Sequence, residues 1–225
     1  MPVILRWFAG SVAMVALVSG CGFDNGSPSS SDSTGRPGKA QEEKPPRDKK
    51  LDQALPGEVQ TQWWKWAAGT PRGRNPVEDK TGVHCAAGQS EFIWNLAGTF
   101  GGSVKRRCTM PSQTLVVPVV NLLGSESDCS AFMAAASGRW TLDGVTQPVQ
   151  RWKGSPITVE GVEGNPVTDT SGPTSGYACG LWGFLAQRRL APGKHTISIR
   201  GSSGDFHTSV DYDLTVTTAK APNSP

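Results

Sequence analysis

The sequence predicts a mainly β protein: an antiparallel β-sandwich of jelly-roll or Ig-like type, with one N-terminal helix and disulfide staples. Three observations point there. Thr208, Val210, Tyr212, Leu214 and Val216 alternate with polar residues, the period of a strand with one wet face, so Ser209, Asp211 and Asp213 are expected to meet solvent. Short apolar segments are separated by turn chemistry at Gly101-Gly102, Asp143-Gly144 and Pro192-Gly193. Only one segment, around Leu55, Val59, Trp63 and Trp66, repeats strongly at helical spacing; Gly69 and Pro71 stop it.

The remaining elements follow in order. Glu91 to Phe100 alternates, and the glycines after it predict a hairpin with Ser103 to Met110. Leu115 to Leu123 is a nearly continuous, Val-rich apolar run suited to a buried strand, with Pro118 marking an edge or a bulge. Ser130 to Ser137 offers one or two helical turns ended by Gly138. Trp140-Thr141-Leu142 runs into the Asp143-Gly144 turn, and Gly161 to Gly176 reads as loop. Tyr177 to Leu185 follows neither period cleanly. His195 to Arg200 precedes the last strand, with a turn over Gly201 to Gly204.

The chain has 225 residues, 27 Gly and 17 Pro, and a net charge of +3. That charge is too small to predict a nucleic-acid-coating surface. Four segments are expected: residues 1–20 as an export signal, 21–50 as a tether, 51–219 as a single β-rich domain, and 220–225 as a disordered tail. Arg6 supplies positive charge, Trp7 to Val18 is apolar, and Val18-Ser19-Gly20 puts small residues before Cys21. The apolar part falls short of the ~20 residues a spanning helix needs. Val18-Ser19-Gly20-Cys21 resembles the lipobox of bacterial lipoproteins. That resemblance implies a diacylated Cys21 and a domain held at the outer face of the cell membrane, since two acyl chains anchor stably where one does not. Gly22 to Lys50 is nearly devoid of apolar residues and is expected to be a disordered spacer reaching roughly 30 Å on flexible-coil scaling.

Several segments of the body resemble a family of secreted bacterial proteins with no established activity. They are Trp63-Trp64-Lys65-Trp66, Asn75-Pro76-Val77-Glu78-Asp79, Cys85-Ala86-Ala87-Gly88-Gln89, Trp94 to Gly102, Arg107-Cys108-Thr109-Met110-Pro111 and Pro118-Val119-Val120-Asn121, with Pro192 to Ile197 a weaker echo. The resemblance implies secretion and a β-rich body, and it transfers no catalytic residue.

Five cysteines is an odd count. With Cys21 lipidated, Cys85, Cys108, Cys129 and Cys179 form an even set in an oxidising compartment. Of three pairings, Cys85–Cys108 with Cys129–Cys179 encloses separate segments, and the loops contribute roughly 3 and 4 kcal/mol in the chain-entropy model. One objection stands: in a hairpin turning at Gly101-Gly102, Cys108 lies opposite about Asn95, not Cys85.

Chemistry-bearing residues are sparse. No metal-ligand spacing, G-x-S-x-G turn or phosphate-cradling loop is present, so no metal or cofactor is expected. The histidines are His84, His195 and His207. Asp205 and His207 stand two apart as a possible orienting pair, weighed against a solvated turn contact. Gly124 to Asp128 reads as polar and flexible. Lys105-Arg106-Arg107 and Arg188-Arg189 are basic clusters, read as solvated faces or as contacts for anionic envelope polymers or lipid headgroups. There are eight tryptophans, one of them in the signal. Trp63, Trp66 and Trp94 sit on core-facing periods, whereas Trp64, Trp152 and Trp182 fall off pattern and are the candidate ligand-binding platforms. These features lead to the expectation of a lipid-anchored binding domain whose partner is a cell-wall glycan or an envelope protein and not nucleic acid. A secreted hydrolase acting on envelope polysaccharide or peptide is the alternative, and a structural or signalling envelope subunit a third reading.

Overall fold

The computed structural model describes residues 56–218. The signal, lipobox, tether and tail expected from the sequence lie outside the described residues. Helix α1 (Pro56–Ala68) is followed by β1 (Ile93–Asn95), β2 (Gly102–Pro111), β3 (Thr114–Gly124), α2 (Glu126–Ala135), β4 (Ser137–Leu142) and β5 (Val145–Thr146). Then come β6 (Gln150–Gly161), β7 (Gly172–Leu185), a single 3-10 turn (Gln187–Arg189), β8 (Gly193–Ser203) and β9 (Phe206–Thr217).

The strands form a four-stranded sheet, ordered β1-β3-β7-β6, and a five-stranded sheet, ordered β2-β9-β8-β4-β5. They pack face to face as a β-sandwich, with Leu115, Val117, Trp140, Cys179, Ile199 and Leu214 among the residues between them. A second apolar cluster lies on the other side of the four-stranded sheet, where Val59, Trp63 and Trp66 of α1 meet Val116, Val159 and Trp182. The domain thus has three layers. β3 and β7 lie in the middle one and are covered on both faces, which is why their sequences lack clean alternation. β9 has one covered face and alternates throughout.

Both sheets are mixed. β1 pairs with β3 and β2 with β9 in parallel, and the other pairings are antiparallel. The hairpin expected at Gly101-Gly102 is therefore corrected. Those glycines, at φ +111° and +80°, turn the chain out of one sheet and into the other, and the link over Ser112-Gln113 carries it back. Local turn chemistry signals a reversal but not which sheet receives the next strand.

Other turns match their residues closely. Asp143 and Gly144 take φ +49° and +79° between paired Leu142 and Val145, a type I′ hairpin. Pro118 sits at a bulge in β3, beyond Val116 where the pairing with β1 ends, so it has a strand partner on the β7 side only. The turn expected over Gly201 to Gly204 narrows to Gly204-Asp205, with Gly201 inside β8. There the strand runs so close to Val119 that a Cβ on Gly201 would overlap the Val119 carbonyl. β7 begins at Gly172 and takes up part of the expected loop.

The segment read as polar and flexible starts a helix. Ser125 caps α2: its hydroxyl accepts from the Asp128 amide (3.1 Å), and the Asp128 carboxylate accepts from the Ser125 amide (3.0 Å). This reciprocal box extends α2 well N-terminal of the expected Ser130. The described part thus holds two helices.

Two disulfides join Cys85 to Cys108 and Cys129 to Cys179, with Cα separations of 6.1 and 5.8 Å. The objection to the first pair disappears with the hairpin. Cys85 belongs to a loop folded along the free edge of β2, where the Arg107 amide donates to the Thr81 carbonyl at 2.8 Å.

Candidate functional site

The three candidate tryptophans do not form a platform. Trp182 is fully buried and Trp64 is 8% exposed, so neither offers a ring face to solvent. Trp152 is half-buried, stacked on Trp182 at 6.0 Å and tilted against Phe184 at 5.3 Å. The correction has a physical cause. α1 buries far more than one stripe, because the loop after it is tied back through Asn75, whose amide donates to the carbonyls of Ala67 and Thr70 at 2.7 Å. Trp182, in turn, is on a strand covered on both sides. The Trp64 and Trp182 indole N–H groups find no acceptor. Roughly 200 Å² of buried ring contributes several kcal/mol, which outweighs the ~1–3 kcal/mol lost at each unpaired N–H. Trp63, Trp66 and Trp94 are buried as their periods predict.

The basic cluster on β2 also divides. Alternation along the strand sends Lys105 and Arg107 outward and Arg106 inward. Lys105 Nζ lies 3.2 Å from Asp213, and Arg107 Nε lies 3.9 Å from the same carboxylate. Arg106 is 1% exposed and serves the interior. Arg189 donates to the Gln147 side chain at 2.9 Å.

The site with the most chemistry is a shallow groove on the five-stranded sheet, lined by Arg107, Thr109, Asp143, Lys194, Thr196 and Asp213, among others. Its organiser is Asp143, held by the I′ turn beside β8. The carboxylate accepts from the Thr196 amide at 2.7 Å and lies 2.8 Å from His195 Nδ1. His195 Nε2 lies 2.9 Å from the Ala191 carbonyl. Both ring nitrogens thus face acceptors only, so the ring satisfies both bonds as an imidazolium. Burial lowers the His195 pKa, but the Asp143 hydrogen bond, the Ala191 carbonyl and the Asp143 charge outweigh it, and the net shift is upward. For Asp143, burial pushes up while the His195 and Thr196 bonds and the His195 charge prevail downward.

This arrangement clamps and charges; it leaves no ring nitrogen free to take a proton from a nucleophile. No hydroxyl or thiol of the described residues hydrogen-bonds to His195. The possible Asp205–His207 orienting pair is not formed: Asp205 lies in the β8–β9 turn, as the solvated-turn reading has it, and no hydrogen bond joins it to His207 among the described residues. His84 is half-buried, and its backbone amide donates to Asp79. The pairing that sequence reading missed is Asp143 with His195. Both residues were visible, Asp143 as a turn residue and His195 beside Pro192-Gly193, but nothing local links positions 52 residues apart. A second trough, between Glu58, Thr61 and Lys65 of α1 and Ser155-Pro156 of β6, gathers no comparable set of groups.

Comparison of the chain with protein-family models, with curated proteins and with solved structures found no match.

Proposed function

We propose that this chain is a lipid-anchored extracytoplasmic binding domain of the bacterial cell envelope, its anchor Cys21 and its partner a cell-wall glycan or an envelope protein. The observation that carries the reading is cysteine accounting. Cys85, Cys108, Cys129 and Cys179 are consumed in two disulfides, which suit an oxidising compartment. Cys21 is then the one cysteine left over, directly behind Val18-Ser19-Gly20. Among the described residues no helix is long and apolar enough to cross a membrane.

A binding role is supported over a hydrolase that uses His195 as its base by that ring, whose nitrogens are both engaged. The test of anchoring is Cys21→Ala in the native host. The variant is expected in the soluble extracytoplasmic fraction, with the parent in the membrane fraction; a variant that stays in the membrane sinks the lipoprotein reading. The test of binding is retention on isolated envelope glycan or crosslinking to an envelope protein. Capture of neither would remove the binding role.

A further inference from the structure

The outer face of the five-stranded sheet is not covered by the second sheet or by α1. Strand register lays its side chains in rows. Ser103, Ser209, Arg200 and Arg139 form one; Lys105, Asp211, Ser198 and Thr141 the next; Arg107, Asp213 and Thr196 a third; Thr109, Thr215 and Lys194 the last. With strands ~4.8 Å apart and rows about 6.7 Å apart, the face measures roughly 14 by 20 Å.

Its composition is selective. Every one of these side chains is charged or bears a hydroxyl, and the adjoining row of Ser137, Ser202 and exposed His207 adds a single imidazole ring. The five cations are Lys105, Arg107, Arg139, Lys194 and Arg200, against the carboxylates Asp211 and Asp213, with a third carboxylate, Asp143, beside Thr196 and engaged by His195. Two cations are matched: Arg200 chelates Asp211 at 2.8 and 3.0 Å, and Lys105 pairs with Asp213. Arg107 is 85% exposed, with only a long contact to Asp213. Arg139 and Lys194 are exposed and make no ion pair with a described residue. Arg139 also stands directly opposite Arg200 on the neighbouring strand, a like-charge register that costs stability. A local arrangement that works against the fold points to use by a ligand.

We propose that this face binds an anionic polysaccharide bearing carboxylate groups, laid flat across the strands, with Arg107, Arg139 and Lys194 meeting the carboxylates. The proposal rests on the extracytoplasmic reading above and names the class of partner. Charge sets the sign. The hydroxyls of Ser103, Thr109 and Thr215 set the polymer type, because they both donate to and accept from sugar hydroxyls, whereas Ser198 already donates to Asp211 at 2.6 Å and Thr196 faces Asp143. Membrane insertion finds no apolar side chain in these rows, a protein hot spot finds no Trp, Tyr or Phe anchor, and neutral-sugar stacking finds only the His207 imidazole at one end. The flat face also suits an extended chain better than a small molecule.

The test uses the purified full-length lipidated protein in neutral detergent, with polygalacturonate as probe and its fully methyl-esterified form as the uncharged control. Binding is expected to polygalacturonate and at least tenfold weaker to the ester. It should fall steeply between about 0.01 and 1 M salt as the screening length drops from ~30 to 3 Å. Arg107→Gln with Arg139→Gln and Lys194→Gln should lose at least tenfold. Lys65→Gln with Arg74→Gln and Lys153→Gln, removing equal charge from exposed positions elsewhere, should stay within threefold. Unfolding midpoints of both sets should match the parent, confirming that they fold.

Absence of binding at low salt, equal binding to the ester, or equal loss in both triple variants would each overturn the proposal. Fractionation of Cys21→Ala is read separately. A protein that is anchored yet ignores polygalacturonate keeps the proposed function and loses this inference.

Discussion

Arg106 donates from Nη1 to the Tyr212 hydroxyl at 2.9 Å, and that hydroxyl in turn donates to the Ala97 carbonyl at 2.8 Å while accepting from the Ala97 amide. No carboxylate pairs with the guanidinium among the described residues. The same Nη1 also reaches the carbonyls of Ala97 (2.8 Å) and Gly98 (3.0 Å), while Nε donates to the Asp79 carbonyl (2.6 Å) and Nη2 to that of Val77 (3.1 Å). One planar fork thus ties β2 and β9 to the loop after α1 and to the link leaving β1. These are irregular segments whose backbone groups have no strand partner at those points.

Arg106→Lys should destabilise the domain by about 3 kcal/mol, since three rotatable donors on a point charge cannot reach the same carbonyls and the unmet ones stay buried. Tyr212→Phe should cost less, roughly 1–3 kcal/mol, because it strands only the Ala97 amide, while the Ala97 carbonyl keeps Arg106 Nη1. Urea unfolding of the oxidised protein measures both. An Arg106→Lys variant within 0.5 kcal/mol of the parent would contradict the role assigned to the fork.

Gly183 faces the Trp140 indole so closely that a Cβ there would overlap the ring. Trp140 is itself held by its N–H donating to the Pro148 carbonyl at 2.9 Å, so it cannot move aside freely. Gly183→Ala is expected to lower stability by about 1–3 kcal/mol through overpacking. An unchanged thermal midpoint would show that the ring repacks without cost.

The Asp143–His195 clamp defines a pH window. His195 has a raised folded pKa, so its contribution is full below the unfolded value of about 6.5 and is lost as pH rises through the folded value. Asp143 has a lowered folded pKa, so its contribution is present above about 3.9 and is lost as pH falls through the folded value. The clamp is therefore strongest between about pH 4 and 6.5. Titration of the imidazole by NMR should give a midpoint above that of a free histidine, and Asp143→Asn should bring it down. A midpoint that does not respond to Asp143→Asn rules out the clamp.

Replacing Cys129 and Cys179 together by Ser should cost about 4 kcal/mol, and the Cys85/Cys108 pair about 3 kcal/mol, on loop-closure entropy. Only the second change should also release the loop that covers the edge of β2 and expose strand edge to other molecules. Size-exclusion chromatography should therefore show self-association for Cys85→Ser with Cys108→Ser and not for the other pair. The reverse order of aggregation would place the guard elsewhere.

Which features were legible depended on how local their causes were. The I′ turn at Asp143-Gly144 was readable because two residues and their φ preferences suffice to make it. The alternation of β9 was readable because one face is wet. The capping box at Ser125 and Asp128 was equally local and present in the sequence, but lay in a stretch whose polarity suggested a loop. Trp64 and Trp182 were misplaced because burial on a second side comes from a layer that periodicity does not encode. Arg106 sat in a basic triplet whose members looked alike until strand parity separated them.

The sequence by itself determined the mainly β class, the strand and turn positions set by nearest neighbours, and a cysteine set that divides into two pairs and a remainder. Only the tertiary structure decided that Gly101-Gly102 carries the chain between sheets and that β3 and β7 lie in a middle layer. It also decided that Asp143 meets His195 across 52 residues and that the cations of β2, β4 and β8 share one face. The reason is range. Turn preferences and alternation act over two to four residues, whereas layer order and strand register are settled by how whole faces bury one another, and the candidate sites of this domain are products of register.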